Sequence, residues 1–308
     1  MYFDNRRKIN MFLIVYNPKA GHVQSQNLSD LTRKIKERNF QVKSIALTET
    51  DFYEQLMDNL TKTRWLISFG GDGTLNTLIS YLSPLADEKL PVLIPYPSGT
   101  ANDFSYQLYG GTPEIEQILT AVEREEYCYL DVGKVNDNYF INVLGAGIFV
   151  DVAYKTDSAL KQRIGMWAYW FEAIKQIPNF KPITFFIDDG VNCQEIEGYL
   201  LLVLNGKGAG GFKSLAPESS LRDGKLDLVV IKESRTLLSL ASLFPKILRG
   251  DHLDDHRVTY IQKNTFKIKL DNKTDSDVVC VVDGEKGPDF PLEVQVLNQK
   301  LPFLHCQY

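Results

Sequence analysis

Trp65-Leu66-Ile67-Ser68-Phe69-Gly70-Gly71-Asp72-Gly73-Thr74 decides the fold. Its opening half is an apolar run that reads as a strand buried on both faces. Its closing half is a glycine-rich turn, followed by Leu75-Asn76-Thr77-Leu78-Ile79-Ser80-Tyr81-Leu82 with apolar residues at helical spacing. Such a turn lets main-chain amides approach phosphate oxygens without side-chain interference. Asp72 is the one acid in it, at the carboxyl end of a strand, where open α/β sheets keep their chemistry.

Working outward, Met11-Phe12-Leu13-Ile14-Val15-Tyr16 is a second buried strand, ended by Asn17-Pro18-Lys19-Ala20-Gly21. Asn17 offers an amide and Lys19 a cation, although a plain strand-to-helix turn accounts for the stretch equally well. Residues 28–38 read as helix, Val42–Leu47 as strand and 51–60 as helix. With the strand at Trp65–Phe69, the pattern is β-α-β-α-β, which implies a parallel sheet with right-handed crossovers. Pro91-Val92-Leu93-Ile94-Pro95-Tyr96 adds a strand that leads into Pro97-Ser98-Gly99-Thr100-Ala101-Asn102-Asp103-Phe104. Asn102 or Asp103 suits a helix N-cap, but two such turns after successive strands face the same rim of a parallel sheet. A helix follows near 113–124.

Beyond it the texture changes. Tyr129–Val135 and Asn138–Val143 read as a hairpin around Asn136-Asp137. Strand-like runs follow at 182–188, 198–204, 226–232, 257–261, 265–270 and 278–282, with helical insertions expected at 159–177 and 236–249. The expected fold is a Rossmann-like α/β domain over 1–128 and a mostly antiparallel β-sandwich over 129–308. The last ~15 residues are candidates to pack back on the first domain.

The net charge of −5 argues against a nucleic-acid binder, which needs a basic stripe. The densest basic run, Arg33, Lys34, Lys36 and Arg38, is broken by Ile35 and Glu37 and reads as a solvated helix face. Cys128, Cys193, Cys280 and Cys306 are scattered, and the opening Met-Tyr-Phe-Asp-Asn-Arg-Arg-Lys lacks a signal-peptide core. A reduced, cytoplasmic protein is the expectation. No apolar run reaches the ~18–20 residues that span a bilayer.

Three motifs invite a function and lose it on inspection. Gly206-Lys207-Gly208-Ala209-Gly210-Gly211 spells a dinucleotide fingerprint, but Phe212-Lys213-Ser214-Leu215-Ala216-Pro217 starts no helix. His252-Leu253-Asp254-Asp255-His256 lacks the Glu of a zinc peptidase and reads as a polar loop. Met166-Trp167-Ala168-Tyr169-Trp170-Phe171, near Lys161, Arg163 and Lys175, reads first as a packed helix and second as a membrane-interface contact. Cys280-Val281-Val282-Asp283-Gly284-Glu285 is either a plain β-turn or a strand-end carboxylate able to accept a hydroxyl proton.

Together these residues resemble the diacylglycerol kinase catalytic family, specifically its bacterial soluble lipid kinases. Asn17-Pro18 through Gly21, Gly70–Thr74, Ser98-Gly99-Thr100 and Asn102-Asp103-Phe104 are similar to its first three motifs. Asp131-Val132-Gly133 and Asn142-Val143 with Gly145 and Gly147 resemble the start of its second domain. Asn205-Gly206, Gly210-Gly211, Ala216-Pro217, Asp223-Gly224 and Leu226-Asp227 resemble its metal-binding loop, and Asp283-Gly284-Glu285 its last motif. The resemblance implies ATP in a cleft between domains, held by Asn17, Lys19, Gly70, Gly71, Gly73, Thr74, Ser98, Gly99, Thr100 and Asn102. It implies Asp72, Asp103 and Glu285 around a catalytic Mg²⁺, with Glu285 as general base toward a lipid's primary hydroxyl. It also implies a structural Mg²⁺ on the Asp223 carboxylate and the carbonyls of about Ser220 and Lys225. Lys207-Gly208-Ala209 stands where the family pattern has aromatic residues. The implied partner is a lipid at the membrane surface, reached by peripheral contact, and a homodimer is compatible with the pattern. The absence of any Asn-Glu dipeptide counts against the related NAD kinases, and the joint presence of the three acids counts against an inactive lipid-binding copy.

Overall fold

The computed structural model describes residues 11–18, 22–99, 101–147, 182–232, 237–271 and 278–305. The aromatic stretch 166–177, the helix expected over 159–177, the N-terminal decapeptide, Lys19, Thr100 and Cys306 lie outside these residues. The chain forms two compact units, Met1–Leu130 with Gln299–Tyr308, and Asp131–Asn298.

The first unit runs β1 (Met11–Tyr16), α1 (His22–Glu37), β2 (Gln41–Ala46), α2 (Phe52–Leu60), β3 (Thr63–Gly70), α3 (Asp72–Leu82), β4 (Val92–Pro97), α4 (Asp103–Tyr109) and α5 (Ile115–Glu123). Four parallel strands lie in the order β2-β1-β3-β4. Both faces of this sheet are covered, which is why β1, β3 and β4 are nearly uninterrupted apolar runs. Phe12, Ile14, Trp65, Ile67, Phe69, Val92 and Ile94 share one core with Leu31 and Ile35 of α1 and with Ile115, Ile118, Leu119 and Val122 of α5. The intervening Leu13, Val15 and Leu66, fully buried, point to the other face, as strand alternation requires. The basic run of α1 is tied to acids. Arg33 bonds Asp30 and Glu37, while Arg38 bonds Glu116 and Glu123.

The second unit contains most of β5 (Tyr127–Val135), then β6 (Asn138–Phe140), β7 (Val143–Gly147), β8 (Ile183–Asp188), β9 (Cys193–Leu204) and β10 (Leu226–Lys232). It continues through α6 (Leu237–Ala241), α7 (Phe244–Arg249), β11 (Val258–Lys263), β12 (Thr265–Leu270), β13 (Cys280–Val282), β14 (Glu285–Lys286) and the first part of β15 (Leu292–Leu304). Pairing is antiparallel throughout, in the order β14-β13-β7-β9-β8-β12-β15, with β10 joining β9 to β11. One strand changes partners midway. Cys193–Gly198 of β9 pairs β8, whereas Leu200–Leu204 pairs both β7 and β10. At the change stands Gly198, where a Cβ would lie 2.8 Å from the Ile231 carbonyl oxygen, so the sandwich turns its corner on a residue without a side chain. Leu226, Leu228 and Val230 of β10 enter the sandwich core, while Val229 and Ile231 lie under Leu243, Phe244 and Ile247.

The structure departs from the sequence expectations at particular points. α3 begins at Asp72, so the acid is the first residue of a helix rather than part of a free turn. The short α4 starts where the N-cap reading of Asn102 put a helix; β15 was not expected as a strand, although its last residues return to the first unit, as the reading of the last ~15 residues allowed. There Phe303 pairs Leu93 of β4 in parallel and packs its ring 5.0 Å from that of Phe104. Lys300 Nζ reaches the Leu85 carbonyl and Asp87, each at 2.7 Å. The segment 252–256 is the loop expected, but it buries His252, with Nε2 at 3.0 Å from the Leu215 carbonyl, and Asp255, while Asp254 and His256 are at the surface. Cys128, Cys193 and Cys280 are free thiols, and burial pushes that of Cys280 up to about 12.

The helices α6 and α7 are held by a buried ion pair. Arg257 donates to Asp255 through Nε at 2.7 Å and Nη2 at 2.6 Å, and its Nη1 bonds Ser239 and Ser242. Lys246 of α7 adds a contact to Asp255 at 2.7 Å. The guanidinium holds the Asp255 carboxyl well below the usual carboxylate range. Asp255→Asn strands the buried Arg257 charge and is expected to cost about 3 kcal/mol in chemical denaturation. Because the folded carboxyl is depressed, its contribution is intact above about pH 4 and drains away as pH falls further. The variant should therefore lose that part of the acid dependence.

Candidate functional site

In the first unit, β1, β3 and β4 all end at one rim of the sheet. The order β2-β1-β3-β4 reverses direction between β1 and β3, so Asn17 and Gly70–Thr74 flank the switch point, where open sheets bind ligands. Ser98 N–H donates to the Gly70 carbonyl at 3.1 Å, joining the turn after β4 to the turn after β3. The two turns then touch main chain to main chain. A Cβ on Gly99 would sit 2.4 Å from the Gly71 Cα, and one on Gly71 would sit 3.2 Å from the Gly99 Cα. A Cβ on Gly70 would strike the Thr74 hydroxyl at 2.2 Å, so Thr74 folds its buried side chain over Gly70. Gly73 differs, because a Cβ there meets nothing within 4 Å.

Asn102 and Asp72 fix the second turn. Asn102 is left-handed, with φ of 52°, and its side chain bonds Gly99 twice, Oδ1 accepting from N–H at 2.9 Å and Nδ2 donating to the carbonyl at 2.8 Å. It occupies the N-cap position of α4 without capping it. Asp72 does that work from another helix, its Oδ2 accepting Asp103 N–H at 3.0 Å and Oδ1 accepting Phe104 N–H at 3.1 Å. The geometry thus brings Asp72 and Asp103 together. Beneath them, Ser68, Gly70, Gly71, Asp72, Leu75, Pro95 and Ser105 pack closely enough to leave no room for a water molecule. The space under the turn is thus filled, and the open side is the outer one, at Gly73.

In the second unit, Ser220–Lys225 forms an exposed loop. Asp223 Oδ1 accepts Lys225 N–H at 3.1 Å, and Gly224 N–H donates to the buried Asp131 carboxylate at 2.7 Å. Beside the loop lies a group that the sequence did not reveal. Tyr260 donates its hydroxyl to Asp227 at 2.5 Å and Gln262 its amide at 3.1 Å. Burial raises the Asp227 carboxyl despite these bonds, and burial with the Asp227 contact raises the Tyr260 phenol. Only the β10–β11 register, Asp227 opposite Gln262 and Val229 opposite Tyr260, puts the three on one face. Glu285 opens β14 opposite Val282, at the surface.

Both places suit a hard divalent cation. Asp72 brings two carboxylate oxygens to the start of α4, beside Asp103, and carboxylate oxygen is the donor type that such an ion takes. The Ser220–Lys225 loop offers one exposed carboxylate, main-chain carbonyls and open access for water, the oxygen-only set that Mg²⁺ accepts. Within each unit, among the described residues, no three His, Cys, Asp or Glu side chains gather to hold a metal by themselves.

The Gly71–Gly99 contact leaves no space for a methyl group. Gly99→Ala is expected to destabilise the protein by about 1–3 kcal/mol in thermal or denaturant unfolding. Asp72→Ala, which leaves the Asp103 and Phe104 amides without their acceptor, is expected to cost about 1 kcal/mol.

Residues 11–135 match the diacylglycerol kinase catalytic domain, and residues 142–305 match the YegS C-terminal NAD kinase beta sandwich-like domain. The chain is 30% identical over 289 residues to a diacylglycerol kinase of Bacillus subtilis (strain 168), covering 91% of each. It is 30% identical over 294 residues to a diacylglycerol kinase of Staphylococcus saprophyticus, covering 94% of this chain and 93% of the relative. The crystal structure of a diacylglycerol kinase from Bacillus anthracis str. Sterne is similar with a TM-score of 0.75 at 25% identity, over 97% of this chain and 98% of that one. The two glycine turns, the antiparallel second unit and these likenesses along nearly the whole length agree: the chain belongs to the diacylglycerol kinase family and is a lipid kinase.

Proposed function

We propose that this lipid kinase transfers the γ-phosphoryl group of ATP to the hydroxyl of diacylglycerol or a related lipid alcohol. The observation that carries the reading is the pair of glycine turns packed main chain on main chain, with Gly73 open above them and Asp72 clasping the Asp103 and Phe104 amides. Phosphoryl transfer asks chiefly for positioning and charge neutralisation, and this rim offers amides, an asparagine and acids rather than a nucleophile. In the proposal, Gly70, Gly71, Gly73 and Thr74 line the phosphates, joined by Ser98, Gly99, Thr100, Asn102, Asn17 and Lys19.

Mg²⁺, when bound, would neutralise phosphate charge from Asp72 and Asp103, and a second ion on Asp223 with the Ser220 and Lys225 carbonyls would brace the loop. Glu285 is proposed as the general base. It takes the hydroxyl proton as the alcohol oxygen attacks the γ-phosphorus and the bond to ADP breaks. Its exposure and its fixed place at a strand start support the role. Among the described residues no helix is long and apolar enough to cross a membrane, so the lipid is proposed to be met by peripheral contact from the cytoplasmic side. A homodimer remains part of the proposal.

Incubation with labelled ATP and a total lipid extract should label a lipid with a free hydroxyl, and an extract that stays unlabelled would remove the reading. Glu285→Gln should lower kcat by ~10² or more if the residue is the base. Gly73→Ala should keep or slightly raise the melting temperature, since alanine favours a helix by ~1 kcal/mol. In the same variant kcat/KM for ATP should fall, and an unchanged value would take the phosphates off this turn.

A further inference from the structure

The two acids of Asp283-Gly284-Glu285 are held in opposite ways. The Asp283 carboxylate accepts three consecutive main-chain amides, from Ile141 at 2.7 Å to Oδ2, and from Asn142 at 3.0 Å and Val143 at 2.8 Å to Oδ1. Its own N–H donates to the Val143 carbonyl at 2.9 Å. Glu285, by contrast, is exposed and has no hydrogen-bond or ion-pair partner for its carboxylate among the described residues. Its side chain is not steered by contacts of its own, so its position comes from the main chain that carries it.

That main chain is a two-residue hairpin turn. Val282 and Glu285 face each other across it, and Asp283 and Gly284 both have positive φ, 46° and 92°. This is the turn geometry that Asp-Gly favours between antiparallel strands. A left-handed aspartate is nonetheless less comfortable than a glycine, and three charge-assisted bonds offset the strain. The amides that make them are themselves fixed. Asn205, fully buried, donates Nδ2 to the Ile141 carbonyl at 3.1 Å and to the Asp131 carbonyl at 2.9 Å, and its N–H to the Asn142 carbonyl at 3.0 Å. The turn is therefore pinned to a rigid part of the second unit through one carboxylate.

We propose that Asp283 is a positioning residue for the reaction, aiming Glu285 by locking the hairpin turn to the amides of residues 141–143. The proposal rests on Glu285 being the base. It assigns Asp283 no proton to move: the carboxylate acts by accepting the three main-chain amides.

A kinetic double-mutant cycle tests it. Asp283→Asn turns an N–H group toward amides that need an acceptor, and Asp283→Gly keeps the turn without strain but deletes the anchor. Each is expected to lower kcat by ~10-fold or more with KM for ATP within ~2-fold, the signature of a displaced catalytic group. In a Glu285→Gln background the same substitutions should cost less than ~2-fold, because nothing remains to be aimed. Losses that multiply through in that background would overturn the proposal, as would Asp283→Gly at the wild-type kcat. If Glu285→Gln alone runs at the wild-type rate, the base assignment fails and takes the proposal with it. That outcome is distinct from a slow Glu285→Gln with independent Asp283 losses, which removes only the positioning role.

Discussion

Two glycines in van der Waals contact organise the first unit. Gly71 and Gly99 come so close that a Cβ on Gly99 would overlap the Gly71 main chain and one on Gly71 would be tight against Gly99, and this approach sets the relation between the turn after β3 and the turn after β4. Everything else at the rim follows from it. The Asn102 side chain can clasp Gly99 only because that turn is tight, and Asp72 can reach the start of α4 only because the two loops lie against each other. An acid that looks like a metal ligand is thereby also a helix cap.

The second unit uses the same device. There the buried Asp131 holds Gly224 and the half-buried Asp283 holds residues 141–143, while the exposed acids Asp223 and Glu285 sit on the segments so held. Carboxylates that accept main-chain amides are strong local constraints because each bond is charge-assisted. In both units, acidic side chains accept backbone amides and thereby fix the main chain around them.

The sequence made the parallel sheet legible because strands buried on both faces are continuous apolar runs, as in β1 and β3. The six motifs carried the family. What escaped it was set by tertiary contact. Asp72 was readable as an acid at a strand end, but its role as a cap for α4 depends on the Gly71–Gly99 approach, which no local pattern encodes. Tyr260 and Gln262 join Asp227 only through strand register. The first half of β9, Cys193–Glu197, is largely exposed and charged, so it lacks the apolar signal that exposed its second half. β15 hid for a similar reason: Asn298-Gln299-Lys300 interrupts its alternation, and Gln299 has a positive φ.

The return of β15 has a consequence for how the molecule comes into being. The sheet of the first unit gains its fifth strand from residues beyond Gln299, with Phe303 and Leu304 fully buried in it. Until those residues leave the ribosome, β4 is an open edge with an apolar flank, the kind of template that invites wrong partners. The unit built first along the chain is thus completed last, and its nascent form has to wait through the synthesis of the whole second unit.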